Sequence, residues 1–189
     1  MKFQAYIFLA AVLGTSVASA REFKLSSGPG YTVSPLYGYE TVYRDSPTPH
    51  LATRAMYGLR VTVGEDILSA EVEYSKASDT ENMSTAPEKI YNEDEIAKLG
   101  IRSTYRFNNY LHSSLRVGAQ ATRGIEETTS SGILTRKDKD IRYNPYAGLQ
   151  LGVSFGVFSL NASSTMVFRD YSDLSKNDIQ NTLSFGVGY

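Results

Sequence analysis

The chain has 189 residues, with 19 Lys and Arg against 20 Asp and Glu, no Cys and no Trp. A formal net charge of −1 gives no basis for a nucleic-acid partner, which is met by a basic surplus. The absence of Cys excludes a disulfide framework, thiol chemistry and a lipid-bearing N-terminal cysteine.

Lys2 is followed by an apolar run from Ala5 to Val17 and then by Ala18-Ser19-Ala20. A positive start, a short apolar core and a small-residue site predict a cleaved secretory signal peptide over residues 1–20. The run is too short for a permanent membrane helix. The mature chain, residues 21–189, is read as one domain.

Beyond an extended stretch to Gly30, apolar and polar residues alternate with a period of two, the signature of strands with one greasy and one wet face. Eight strands are predicted. The first, Tyr31 to Tyr43, sets Tyr31, Val33, Tyr37 and Tyr39 against Ser34, Gly38 and Glu40, with a bulge expected at Pro35, which cannot donate to a ladder. The second, Leu51 to Val63, sets Tyr57, Leu59, Val61 and Val63 against Arg54, Met56 and Arg60. A tight turn at Gly64-Glu65-Asp66 leads to the third, from Ile67, with Val72 and Tyr74 opposed to Glu71 and Glu73. Residues 76–94 read as a long polar loop. The fourth, Glu95 to Phe107, opposes Leu99, Ile101 and Tyr105 to Lys98, Arg102 and Arg106. After an Asn108-Asn109 turn the fifth runs to Thr122, with Leu115 and Val117 opposed to His112, Arg116 and Gln120. Arg123 to Asp140 reads as a second polar loop. The sixth, Ile141 to Val153, opposes Tyr143, Leu149 and Leu151 to Arg142, Asn144, Gly148 and Gln150. Ser154-Phe155-Gly156 turns it into the seventh, which ends near Phe168. The eighth runs from Ile179 to Tyr189 and sets Leu183, Phe185, Val187 and Tyr189 against small or polar residues.

The strand number is even and the connections alternate between short and long. The greasy faces are matched by charges and amides on the opposite faces. That pattern inverts a soluble eight-stranded barrel, which buries its apolar face inside. It is the all-β, antiparallel, up-and-down arrangement of a transmembrane barrel, apolar outside and polar inside. An alternating strand that ends on an aromatic resembles the assembly signal of bacterial outer-membrane barrels, here Leu183, Phe185, Val187 and Tyr189. The whole mature chain resembles the OmpA/OmpX-type superfamily of small outer-membrane β-barrels. The resemblance implies a Gram-negative outer-membrane location, both termini in the periplasm, outer-membrane lipid and lipopolysaccharide around the barrel, the barrel-assembly machinery as a partner, and a monomer without cofactor or metal.

An eight-stranded lumen is only wide enough for its own side chains. The inward charges are Glu40, Arg54, Arg60, Glu71, Glu73, Lys98, Arg102, Arg106, Arg116 and Arg142. Buried charges must pair, so a structural salt-bridge core is expected, with Glu71 near Arg60, and Glu71 and Glu73 near Lys98 and Arg102. Because basic residues outnumber acids in this set, a narrow, anion-leaning solute channel is the alternative. The preferred function is a structural or surface-interaction role for the extracellular loops. The acids Asp138, Asp140, Asp170, Asp173 and Asp178 read as solvated loop surface.

An enzyme is the least favoured reading. His112, Ser114 and Glu126 are similar in order to the His, Ser and Glu of the lipid A deacylase family, but Leu115 follows Ser114 where that family has Asn. His112 is also expected at one end of the fifth strand and Glu126 past the other, whereas an activated Ser needs hydrogen-bond contact with its base. His50 alone suggests the lipid A palmitoyltransferase class, without the amphipathic helix that precedes its barrel. No catalytic residue is assigned.

Overall fold

A computed structural model describes residues 30–44, 49–82 and 89–188. The signal peptide and Tyr189 lie outside the described residues. Among them are nine strands: β1 (Gly30–Arg44), β2 (His50–Gly64), β3 (Ser69–Asn82), β4 (Lys89–Arg106), β5 (Leu111–Ser130), β6 (Ile133–Asp138), β7 (Arg142–Phe155), β8 (Phe158–Val167) and β9 (Asp178–Gly188). A 3₁₀ turn, Leu174–Lys176, precedes β9.

Every pairing is antiparallel, and β4 pairs with β5 while β9 pairs with β1. Eight strands therefore close into a ring, β1-β2-β3-β4-β5-β7-β8-β9, and β6 hangs from β5 outside it. The sheet has no free edge within the ring, which satisfies the backbone without water. One circuit along paired residues runs Tyr31, Val63, Ala70, Ile101, Val117, Ala147, Met166, Ile179 and Thr41. It returns to β1 ten residues beyond its start (31 to 41), the stagger that tilts the strands and sets the bore.

The period of two decides which way each side chain points. Tyr37, Leu99, Leu151 and Leu183 stand exposed on the outer face, while Glu40, Arg60, Glu73 and Arg116 on the alternate positions are buried. The apolar belt is bordered near the tight turns by aromatic pairs: Tyr105 with Phe107, Tyr110 with Phe155, and Phe158 with Phe185, with ring centroids 5.1, 5.8 and 5.7 Å apart. At the other end it stops where Tyr74 donates to Glu95 (3.1 Å) and Lys76 bridges Glu93 and Glu95. These are the girdle and charge border of a membrane barrel. Phe185→Asp would place a charge in this belt and unstack Phe158. Heat-modifiable gel migration should show a clear fall in folded barrel.

The structure corrects the two long loops. β3 runs on to Asn82 and β4 begins at Lys89, so only residues 83–88 separate them. β5 continues to Ser130 and β6 returns from Ile133. The turn between them is Ser131-Gly132, both with positive φ (51° and 76°), as the tight two-residue hairpin requires. These extensions leave the belt and carry only scattered apolar residues, so no apolar alternation marks them. Pro35 makes no bulge. The ladder to β9 lapses at Ser34 and Pro35, yet Val33↔Val187 and Leu36↔Ser184 keep one register, and pairing to β2 is unbroken. The missing N–H is absorbed by a gap in one ladder. The predicted turns at Gly64 and Ser154 shift to residues 65–68 and Gly156-Val157, while the Asn108-Asn109 turn is found within residues 107–110.

Candidate functional site

The lumen is filled in layers. In the layer nearer the tight turns, Glu73 accepts from Arg60 Nε (2.8 Å), Lys98 Nζ (2.6 Å) and Arg116 Nη2 (2.9 Å). Glu71 accepts from Arg116 Nε at 2.9 and 3.0 Å and from its Nη2. Arg116 also reaches Thr165, and Arg60 reaches Gln150 at 3.0 Å. The register explains the hub: Arg60, Glu73, Lys98 and Gln120 follow one another on β2 to β5. Arg60 is therefore directly opposite Glu73, and Glu71 lies farther from it, at 3.8 Å. Beyond this layer, Arg54 bridges Glu40 and Asp94 at 2.7 Å each, while Gln180 donates to Glu40 and Gln120.

Between the two layers sit apolar side chains, Leu36, Met56, Ala77 and Ile96, and one aromatic. Tyr146 is 2% exposed. Its ring lies 5.8 Å from Lys98 Nζ and 5.9 Å from the Arg116 guanidinium carbon, cation–π distances. It rests on Gly100 and Gly118, where a Cβ would run into the ring.

Not every inward charge joins this core. Arg106 is half-exposed at the turn end and pairs with Asp66. Arg142 is exposed at the opposite mouth. Arg102 has no carboxylate within 4 Å among the described residues and does not touch Glu71 or Glu73. The sequence reading missed Asp94, which it placed in a loop, and with it the charge balance. The core acids Glu40, Glu71, Glu73 and Asp94 match the core bases Arg54, Arg60, Lys98 and Arg116 in number, while Asp178, read from the sequence as solvated loop surface, is buried near the far mouth and pairs with Arg169. The expected basic surplus is therefore absent from the core, and the far mouth is balanced as well, five bases against five acids on its lining. It also missed Tyr146, although parity with Asn144 and Gly148 marks it as inward.

Two cavities flank the core. One of about 370 Å³ opens at the tight-turn end and is lined by Arg60, Arg102 and His112 among others. One of about 350 Å³ opens at the far end over Arg54, Asp94 and Arg142. They share no lining residue, and the buried layers lie between them.

The far end carries a ribbon. β4 and β5 stay paired from Ile96↔Thr122 out to Lys89↔Thr129, past the last β5–β7 pair, Thr122↔Arg142. β6 pairs only with β5 and is exposed at every residue. Ile133 and Leu134 at its start are 69% and 63% exposed. Nearby, Arg44 binds Asp79 (2.7 Å) and Glu81. In the loop before β9, the side chains and amides of Ser172 and Ser175 hydrogen-bond Asp170 and Asp173 and hold both below the usual carboxylate range.

A family model described as outer membrane protein beta-barrel domain matches residues 7–189. The chain belongs to that family. No curated protein sequence matches it. Among solved structures it is similar to Ail, the attachment invasion locus protein of Yersinia pestis, in complex with the heparin analogue sucrose octasulfate. The identity is 15% and the TM-score 0.56, over 86% of this chain and all of that one. The N-terminal β-barrel domain of Pseudomonas aeruginosa OprF is similar at 12% identity and TM-score 0.54, over 84% of this chain and 97% of that one. At such identities the likeness is one of fold, and the fold is that of small outer-membrane barrels.

Within this outer-membrane barrel the His, Ser and Glu of the enzyme reading do not meet. His112 bonds Asn161 (2.9 Å) and Ser154 (3.3 Å), Ser114 bonds Thr104 (2.9 Å), and Glu126 pairs with Lys139 at the far end. Fourteen residues of one strand, from 112 to 126, separate the first from the last, about 45 Å of extended chain. His50 lies beside Glu81. Among the described residues no cluster of three or more His, Asp or Glu is placed to hold a metal.

Proposed function

We propose that this protein is a rigid outer-membrane scaffold whose business is surface interaction, carried out by the ribbon of β3 to β6. In this reading the ribbon faces the exterior and both ends of the ring face the periplasm. Residues 1–20 direct export, Leu183, Phe185, Val187 and Tyr189 are read by the barrel-assembly machinery, and the barrel sits as a monomer among lipopolysaccharide and lipid.

The observation that carries the reading is β6. It is a strand with one free edge and an apolar start, held clear of the membrane on a paired stem. A free edge offers unpaired N–H and C=O groups, the usual means by which one chain adds a strand from another. The ribbon mixes Lys89, Arg136 and Lys137 with Glu126 and Glu127, which favours strand addition to a polypeptide over capture of a polyanion. The charge-balanced core and the two separate cavities count against the solute-channel alternative. The scattered His, Ser and Glu count against a lipid A-modifying enzyme.

Replacing Ile125–Asp138 by a short Gly-Ser turn tests the proposal. Folded barrel should remain, because the ring ends at Thr122. Adsorption of whole cells to immobilised extracellular proteins should fall several-fold. Unchanged adsorption, or ohmic anion-selective channels from the native protein in a planar bilayer, would move the function to the lumen. Protease added to intact cells should cut at residues 83–88 or at the β5–β6 tip. Cleavage at residues 65–68 or 107–110 would invert the orientation.

A further inference from the structure

Among the described residues, the buried cations Arg54, Arg60, Lys98 and Arg116 all meet carboxylates, whereas Arg102, half-buried at the tight-turn end, does not. Arg102 has no carboxylate within 4 Å among the described residues, and its Nε is buried without a hydrogen-bond partner. The two acids that feel its charge, Glu71 and Asp66, are already taken, by Arg116 and Arg106. Arg102 lines the cavity of about 370 Å³ at that end. A second orphan lines the same space: the Ser184 hydroxyl, buried and unpartnered. His112, Thr104 and Ser159 add further polar groups around it.

An uncompensated guanidinium in such surroundings is costly. It is planar, always charged, and its fork of donors matches oxyanions. The other cations lining this cavity, Arg60 and Arg106, are paired with Glu73 and Asp66, which leaves the Arg102 charge beside the unpartnered Ser184 hydroxyl, with Glu65 as the remaining acid on the lining. We propose that this vestibule is a binding site for a small oxyanion, a phosphate or carboxylate group. The anion is held by the Arg102 guanidinium with the Ser184 hydroxyl as a further donor, and enters from the side on which both ends of the ring emerge. The site is independent of the outer ribbon, so it stands or falls apart from the surface-interaction reading.

The test uses the whole barrel in non-ionic detergent at low ionic strength, titrated separately with inorganic phosphate and with acetate by calorimetry. Native protein should bind at least one of the two at a single saturable site. Arg102→Gln should weaken that binding about tenfold or more, as expected for loss of a charge-assisted pair. Ser184→Ala should weaken it a few-fold, and Arg142→Gln, at the opposite mouth, should leave it unchanged. The Arg102 Nε–H signal in nitrogen–proton NMR should shift on titration. Heat-modifiable migration verifies folding, and Arg102→Lys, which keeps the charge but loses the fork, should bind with intermediate strength. No saturable binding of either anion by the native protein, or equal binding by folded Arg102→Gln, overturns the proposal.

Discussion

Replacing Glu73 by Gln should cost about 3–5 kcal/mol of barrel stability, the range for breaking a buried ion pair from one side. Glu73 is the acceptor for Arg60, Lys98 and Arg116 at once. Without its charge, three buried cations share Glu71, whose carboxylate already takes three bonds from Arg116. Gln preserves size and one acceptor oxygen, so the loss is electrostatic rather than a cavity. Removing Lys98 as well, by Lys98→Met, should recover part of the loss, since an apolar stem of similar length needs no counter-ion. Glu81→Gln, on the half-buried outer pair with Arg44, should cost under about 1 kcal/mol. The chain has no Trp, so urea unfolding in lipid vesicles is best followed by gel migration. A Glu73→Gln loss as small as that of Glu81→Gln would show that the lumen carboxylate is not the hub assigned to it.

The sequence made the ring legible because a membrane barrel enforces two faces on every strand, and a period of two survives even in a chain of polar average composition. It made the ribbon illegible for the same reason. Residues 76–82, 89–94 and 123–138 run beyond the apolar belt, so their alternation carries little apolar signal even where Ala77, Asn92 and Asp94 turn into the lumen. That blind spot propagated inward. Asp94 was placed in a loop, and the lumen therefore looked basic, although Asp94 is one arm of the Arg54 bridge. Pairing within the core depended on cross-strand register, which chain order does not state. Arg60 meets Glu73 because the β2–β3 turn spans residues 65–68 rather than the three residues predicted. Arg102 differs from Arg106 only by two same-face steps along β4, yet the second meets Asp66 on the folded-back turn and the first meets no acid within 4 Å among the described residues. No local pattern distinguishes them. Tyr146 was recoverable: an aromatic invites an outward assignment in a barrel, but its parity is that of Asn144, Gly148 and Gln150.

Tyr146 is where the closed lumen is most exposed to test. Its ring packs from β7 against Lys98 and Arg116 of the charged hub, resting where Gly100 and Gly118 leave room; a Cβ on Gly118 would approach its Cε1 to 2.9 Å. The glycines are placed opposite each other on β4 and β5, so the ring fills space that no other side chain supplies. Tyr146→Ala should therefore cost about 3–5 kcal/mol, the range for an aromatic truncated in a packed interior. The Tyr146→Phe change should cost under about 1 kcal/mol, because the hydroxyl reaches Glu71 only at 3.5 Å and a bond that long contributes little. Gly118→Ala should also destabilise, by pushing the ring from its seat. Function should follow packing. In planar bilayers the native barrel should be silent. Tyr146→Ala should give small, steady conductance steps, because the gap left by the ring joins the two cavities through a polar neck. If Tyr146→Ala is no less stable than Tyr146→Phe, the ring is not a packing element. If the native barrel conducts as readily as the alanine variant, the core is no plug, and the solute-channel reading takes the place of the ribbon.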